Sequence, residues 1–165
     1  MKLHTLLFTL FFSISALACD CDENENFAES VEALRQNPRA LATLVQATVL
    51  SHDEQGRPLI QIEDEFLNAT AQTQMKVANG YGTDCVLPGE YLVDGKSYIL
   101  LLTKEPWGAH KEYGLSTCSQ SYLKVQDYEG KPSVFGKIEA GKRSNGVTEI
   151  YELDYFREWV RKKLQ

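Results

Sequence analysis

The chain has 165 residues, of which 17 are Lys or Arg and 23 are Asp or Glu, so its net charge is −6. This length suits one domain that buries roughly two-thirds of the surface of its unfolded chain. The acidic balance argues against nucleic-acid binding, because contacts with phosphates need clustered cations.

Residues 1–18 have the pattern of an export signal. Lys2 gives a positive start, residues 6–14 form an apolar run, and Ala16-Leu17-Ala18 is a small-x-small cleavage site. The run is too short to span a bilayer, and no later run approaches the necessary length. We therefore expect a mature chain that begins at Cys19, is secreted or periplasmic, and has no transmembrane segment. The alternative is a lipoprotein signal that anchors the protein through an acylated Cys19.

The four cysteines are Cys19, Cys21, Cys85 and Cys118. In an exported chain, four cysteines indicate two disulfides. A bridge between Cys19 and Cys21 would close a very small, strained ring, so two schemes remain, and both tie the N-terminus to the two lone cysteines. Each bridge then closes a long loop, worth about 4 kcal/mol in the chain-entropy model. A four-thiolate zinc site is the alternative, but its ligands usually come in two C-x₂-C pairs.

The first half of the chain predicts a short helix followed by a long hairpin. Phe27, Val31 and Leu34 have helical spacing, and Asn37-Pro38 ends this helix because the residue before proline avoids the helical region. Residues 41–50 and 59–66 then form two β-rich runs around a polar turn, which is typical of a hairpin.

Further strands are predicted at residues 72–78, at the apolar run 96–103 and at residues 113–117. Residues 132–138 and 147–153 predict a second hairpin. Asp154 is placed to cap a final helix whose inward side chains would be Phe156, Trp159 and Val160. This order predicts a mainly β fold, most simply a small closed barrel, although periodicity alone does not separate an OB-type barrel from a sandwich.

No pattern of catalytic residues is present, so the chain is not predicted to be an enzyme. An H-E-x-x-H zinc-protease motif is absent from the sequence. Glu63, Asp64 and Glu65 are consecutive, and strand alternation would send neighbouring side chains to opposite faces. We therefore interpret these carboxylates as a charged strand edge.

Residues 19–125 combine four features in a recognisable order. A C-x-C at the mature N-terminus precedes the long hairpin, and Cys85 follows before Gly95-Lys96-Ser97-Tyr98-Ile99-Leu100, with Cys118 last. This pattern resembles the N-terminal inhibitory domain of the tissue inhibitors of metalloproteinases. The resemblance implies a netrin-like domain over residues 19–125, a closed five-stranded OB-fold barrel. Residues 126–165 would add a hairpin and a helix packed on that barrel.

The resemblance also implies a pairing and a mechanism. In that family the first cysteine pairs with the third and the second with the fourth, which implies Cys19–Cys85 and Cys21–Cys118. The amine and carbonyl of Cys19 would chelate the catalytic zinc of a partner metalloprotease. The zinc belongs to the partner, so the chain needs no cofactor of its own.

The implied contact surface consists of seven residues: Cys19, Asp20, Cys21, Asp22, Gly82, Thr83 and Asp84. Where the family usually has a small hydroxyl residue after its first cysteine, this chain has Asp20. Netrin-like modules also occur in proteins that do not inhibit proteases. The alternative function is therefore an exported binding module whose disulfides are purely structural.

Overall fold

The structure is a computed structural model that describes residues 26–36, 41–80, 86–104, 112–117, 120–139 and 148–164. Within these ranges the chain forms eight strands, two α-helices and a 3-10 turn at Gly89–Tyr91. The strands are β1 (Leu41–His52), β2 (Pro58–Leu67), β3 (Gln74–Lys76), β4 (Ser97–Lys104), β5 (Gly114–Leu115), β6 (Tyr122–Tyr128), β7 (Lys131–Gly136) and β8 (Glu149–Glu152). The helices are α1 (Phe27–Gln36) and α2 (Leu153–Leu164).

All the described strands belong to one antiparallel sheet in the order β3-β2-β1-β4-β6-β7-β8, with β5 also paired to β4. The prediction of a mainly β fold with a helix near each end is confirmed. The described residues do not show the predicted closed five-stranded barrel: eight strands share one sheet, and its order does not close. The difference arises because β6, which the sequence analysis did not assign, joins the β7–β8 hairpin directly to β4.

The predicted long hairpin is present as β1 and β2. Their pairing has three breaks in register, after Leu44, after Gln46 and between Val49 and Ser51. Extra residues of this kind bend a strand and increase its right-handed twist. The β1–β2 hairpin is therefore expected to be bent and strongly twisted.

β1 and β4 lie in the middle of the molecule and are buried on both faces, as the apolar run in β4 predicts. One face packs against the two helices. We call this cluster the helix-covered core: Phe27, Val31, Leu44, Ile99, Leu101, Leu123, Val134, Ile138, Leu153, Phe156, Trp159 and Val160. The other face packs against side chains of β2, β3 and β5 and against Leu92. We call this cluster the curled core: Val45, Ala47, Val49, Ile60, Met75, Val77, Leu92, Tyr98, Leu100, Leu102 and Leu115.

α2 buries the three side chains predicted to point inward, Phe156, Trp159 and Val160. The helix begins at Leu153, so Asp154 lies in its first turn and its carboxylate accepts a hydrogen bond from Arg157 at 3.0 Å. A negative charge in the first turn and the three cations in the last turn both suit the helix dipole.

Candidate functional site

The residues predicted to contact a protease lie outside the described part of the chain. They are Cys19, Asp20, Cys21, Asp22, Gly82, Thr83 and Asp84, and Cys85 and Cys118 also lie outside it. The nearest described residues are Asn26, Val86 and Thr117. These three anchor positions are where each cysteine-bearing segment joins the described fold.

The anchors of the two lone cysteines belong to segments that run side by side. Val86 forms an antiparallel bridge with Ser116. The N–H of Leu87 donates to the carbonyl of Leu115 at 2.7 Å. The chain after position 85 and the chain before position 118 are therefore neighbours.

A close backbone crossing lies at the same place. The Gly80 N–H donates to the carbonyl of Leu87 at 3.3 Å. A Cβ atom at Gly80 would lie 1.7 Å from the carbonyl oxygen of Val86, a distance that no side chain tolerates. Position 80 therefore requires glycine, because the chain after β3 crosses the chain that follows Cys85 there.

Ser121 fixes the other end of the segment that contains Cys118. Its hydroxyl donates to the carbonyl of Ser116 at 2.9 Å, and its own carbonyl accepts from the N–H of Leu101 at 2.8 Å. Ser121 is buried, so these bonds are shielded from water. Both ends of this segment are thus attached to the sheet beside β4.

The start of α1 is attached to the chain just after β7. Asn26 and Glu29 form a reciprocal capping box, with bonds of 2.8 and 3.1 Å between each backbone N–H and the other side chain. The Asn26 amide also donates to the carbonyl of Glu139, and the Phe27 N–H donates to the carbonyl of Lys137. The helix therefore enters the fold at a defined point.

The register of β6 and β7 brings this point close to Ser121. Lys124 pairs with Phe135, and continuing that register places Lys137 opposite Tyr122. The start of α1 is therefore attached beside β7, which β6 separates from β4.

A groove of about 620 Å³ lies beside the backbone crossing at Gly80, which forms part of its wall. His52 from the end of β1 and Glu90 and Asp94 from the turns that follow Pro88 also line it. The meeting of these residues depends on how the β1–β2 hairpin packs against the turn at Gly89–Tyr91, which local sequence patterns do not specify.

The consecutive carboxylates of β2 do not follow the expected alternation. Because of the register break after Gln46, Glu63 is the extra residue, and Asp64 rather than Glu63 pairs with Gln46. Gln46 donates to Glu63 at 2.7 Å and accepts from Arg157 at 3.0 Å, while the Arg157 Nε lies 3.4 Å from Asp64. Glu63 and Asp64 are thus brought to one face, where they connect the β1–β2 hairpin to α2 through Gln46 and Arg157.

The Asp53 carboxylate in the β1–β2 turn accepts several hydrogen bonds. Hydrogen bonds from the backbone N–H of Arg57, from its side chain, from the Gln55 N–H and from Lys76 hold the pKa of Asp53 well below its usual range. Arg57 also reaches Glu112 at 3.2 Å. The carboxylate therefore stays ionised and serves to fix the turn.

The comparisons with known proteins do not identify a family for this chain. No known protein family, curated protein or solved structure matches the chain. In the part of the chain that the structure describes, no three His, Cys, Asp or Glu side chains could hold a metal ion. No helix in that part is long and apolar enough to cross a membrane.

Proposed function

We propose that this chain is an exported inhibitor of zinc metalloproteases that acts through the amine and carbonyl of Cys19. The feature that carries the proposal is the C-x-C directly behind an export signal, combined with two lone cysteines whose neighbouring segments pair with each other. The proposal includes the disulfides Cys19–Cys85 and Cys21–Cys118.

One observation supports this pairing. The segments that lead to Cys85 and Cys118 run side by side through the bridge of Val86 with Ser116. A C-x-C that pairs with two lone cysteines needs those cysteines on neighbouring segments. Four residues lie between Cys21 and Asn26, which limits the reach from the start of α1 to about 17 Å.

The proposed chemistry is displacement of a zinc-bound water. The catalytic zinc of a protease keeps one coordination position for water, and nitrogen and oxygen donors both suit zinc. The amine nitrogen and carbonyl oxygen of Cys19 together form a five-membered chelate. Two disulfides would hold this terminus rigid, so little conformational entropy would be lost on binding.

A closed OB barrel belongs to the same proposal. β3, β2, β1, β4 and β5 are consecutive neighbours in the sheet. The N–H of Ala78, two residues after β3, donates to the carbonyl of Tyr113, directly before β5, at 2.7 Å. One backbone hydrogen bond thus links the two ends of this five-strand series around the curled core, which supports the barrel topology.

The decisive test compares the mature protein, Cys19–Gln165 with oxidised cysteines, with a form that has one alanine added before Cys19. Both are assayed against a panel of zinc metalloproteases. We expect inhibition by the mature form and a loss of at least about 100-fold for the extended form, because the added residue moves the amine away from the zinc. A form with one alanine added after Gln165 is the matched control and should inhibit like the mature protein.

Equal behaviour of the N-terminally extended and mature forms would rule out chelation by Cys19. Absence of inhibition by all three forms would favour the non-inhibitory binding module instead. The pH dependence is a second readout, because the amine binds zinc only when it is deprotonated. An α-amino group has an ordinary pKa of about 7.7–8.0, so inhibition should weaken by roughly tenfold for each pH unit below 7.

A further inference from the structure

Asn79 connects two turns through its side-chain amide. The amide oxygen accepts a hydrogen bond from the Gly89 N–H at 2.7 Å, and the amide nitrogen donates to the carbonyl of Gln55 at 2.8 Å. Gln55 lies in the β1–β2 turn, and Gly89 begins the 3-10 turn. The Asn79 side chain is therefore held in one orientation by two backbone groups that are distant from it in the sequence.

The residue that follows Asn79 makes this amide chemically reactive. The backbone nitrogen of the next residue can attack an asparagine side chain, and glycine allows the attack best because it has no side chain to obstruct it. Asn79-Gly80 is one of two Asn-Gly pairs in the sequence, and Asn145-Gly146 is the other. Glycine cannot be exchanged at position 80, because a Cβ atom there would lie 1.7 Å from the carbonyl oxygen of Val86. The fold therefore retains a reactive pair at this position.

We infer that Asn79 is a site of spontaneous deamidation and that the hydrogen bonds of the fold protect it. In this reaction the Gly80 nitrogen loses its proton and forms a bond with Cγ of Asn79. The bond between Cγ and Nδ2 breaks, and the amide nitrogen takes up the proton and leaves as ammonia. Water then opens the resulting succinimide ring at either of its carbonyl groups, which gives aspartate or isoaspartate. The reaction requires no reagent other than water.

Hydrogen bonds of the folded chain oppose this reaction at the atoms that must change. The Gly80 N–H, which must lose its proton, donates to the carbonyl of Leu87 at 3.3 Å. The Nδ2 atom of Asn79, which must leave, donates to the carbonyl of Gln55. The attack also needs the reacting atoms in a defined arrangement, and the bond from Gly89 restrains rotation of the side chain toward it. Loss of two such hydrogen bonds before reaction should slow deamidation by roughly 10–100-fold.

Neither product reproduces the contacts of the original side chain. An aspartate carboxylate can only accept hydrogen bonds, so one of its oxygens would face the carbonyl oxygen of Gln55 without a donor. Isoaspartate adds a methylene group to the main chain directly before Gly80, where the crossing with Val86 leaves no room for a Cβ atom. The backbone hydrogen bonds that join β1 to the chain before β4 do not involve Asn79. We therefore expect deamidation to cause a local loss of stability and to leave the sheet intact.

The first test compares deamidation of the oxidised protein in mildly alkaline buffer with that of the reduced protein in guanidinium chloride. Peptide mapping by mass spectrometry measures aspartate and isoaspartate at each position. In denaturant, Asn79 and Asn145 should react at similar rates, because both precede glycine. In the folded protein, Asn79 should react roughly 10–100-fold more slowly than in denaturant. Equal rates for Asn79 in the two states, or no reaction of Asn79 in denaturant, would overturn the inference.

The second test is thermal unfolding of Asn79→Asp, which carries the aspartate product. The midpoint should lie about 2–8 °C below that of the wild type. Gln55→Glu is the matched control, because it adds the same charge to the β1–β2 turn at an exposed position, and it should shift the midpoint by no more than about 2 °C. Equal midpoints for the two variants would show that the Asn79 amide nitrogen contributes no protecting bond and would overturn the inference. Neither test involves a protease, so both outcomes are independent of the proposed inhibition.

Discussion

The two cores of this protein are built on opposite faces of the same two strands, but they are covered by different elements. The helix-covered core is closed by large aromatic side chains, Phe27 from α1 and Phe156 and Trp159 from α2. The curled core is covered by β2, β3 and β5 of the same sheet and by Leu92, with tight backbone approaches at Gly80 and Gly89.

Because of this difference, we expect stability to come mainly from the helix-covered core and function to lie at the end of the curled core. Buried aromatic side chains contribute large apolar areas, and α1 and α2 also contact each other through Phe27 and Phe156. At the end of the curled core, by contrast, backbone hydrogen bonds and turns prevail, and the segments with Cys85 and Cys118 join the fold there. We therefore expect the helix-covered core to act as a rigid support and the end of the curled core to carry the binding chemistry.

The largest effect should come from the helix-covered core. Phe156→Ala removes a fully buried ring that stacks near both Phe27 and Trp159. It should lower the free energy of unfolding by about 3–5 kcal/mol, measured by urea denaturation. Tyr155→Ala is the matched control in the next position, since that side chain is 58% exposed, and it should change stability by no more than about 0.5 kcal/mol. A small effect of Phe156→Ala would mean that α2 is not firmly packed.

A pair of adjacent leucines compares the two cores directly. Leu100 is buried in the curled core and Leu101 in the helix-covered core, and they are neighbours in β4. If the curled core is closed to water in solution, Leu100→Ala and Leu101→Ala should each lower the free energy of unfolding by about 2–5 kcal/mol in urea denaturation. A cost below about 1 kcal/mol for Leu100→Ala alone would show that its face is open to water. That result would also remove the support for a closed barrel.

Much of the fold follows from local patterns in the sequence. The long hairpin, the doubly buried β4 and the inward face of α2 were all predicted from periodicity and are confirmed. β6 was missed although its signal is present, because Leu123 and Val125 alternate with the polar Lys124 and Gln126. The run is short and follows a cysteine-bearing loop, and the sequence analysis assigned no element to it.

The features that could not be predicted depend on contacts between distant segments. The break in register at Glu63 depends on how β1 and β2 align. It changes the face of the sheet to which the neighbouring side chains point, compared with simple alternation. The meeting of His52 with Gly89 and Asp94 likewise depends on the packing of two turns. The predicted contact surface around Cys19 and Asp84 lies outside the described residues, so that part of the site stays a prediction.

The smallest change in the free energy of unfolding is expected from the loss of a hydrogen bond at the rim of the helix-covered core. The Tyr151 hydroxyl donates to Oε2 of Glu139 at 2.8 Å. Burial and the Glu139 carboxylate raise the pKa of Tyr151, so the hydroxyl remains a donor. Its bond, with help from Trp159 and Lys163, lowers the pKa of Glu139. Tyr151→Phe should cost about 0.5–1 kcal/mol at pH 7, because the pair is largely solvated.

The cost of Tyr151→Phe should depend on pH, because the Tyr151 hydroxyl lowers the pKa of Glu139. A depressed carboxyl pKa contributes stability above the unfolded value, about 4.3 for Glu, and that stability is lost as the pH falls through the lower folded value. The cost of Tyr151→Phe should therefore shrink between pH 7 and pH 3 in urea denaturation. A cost that stayed constant over this range would show that the Tyr151 hydroxyl does not lower the pKa of Glu139.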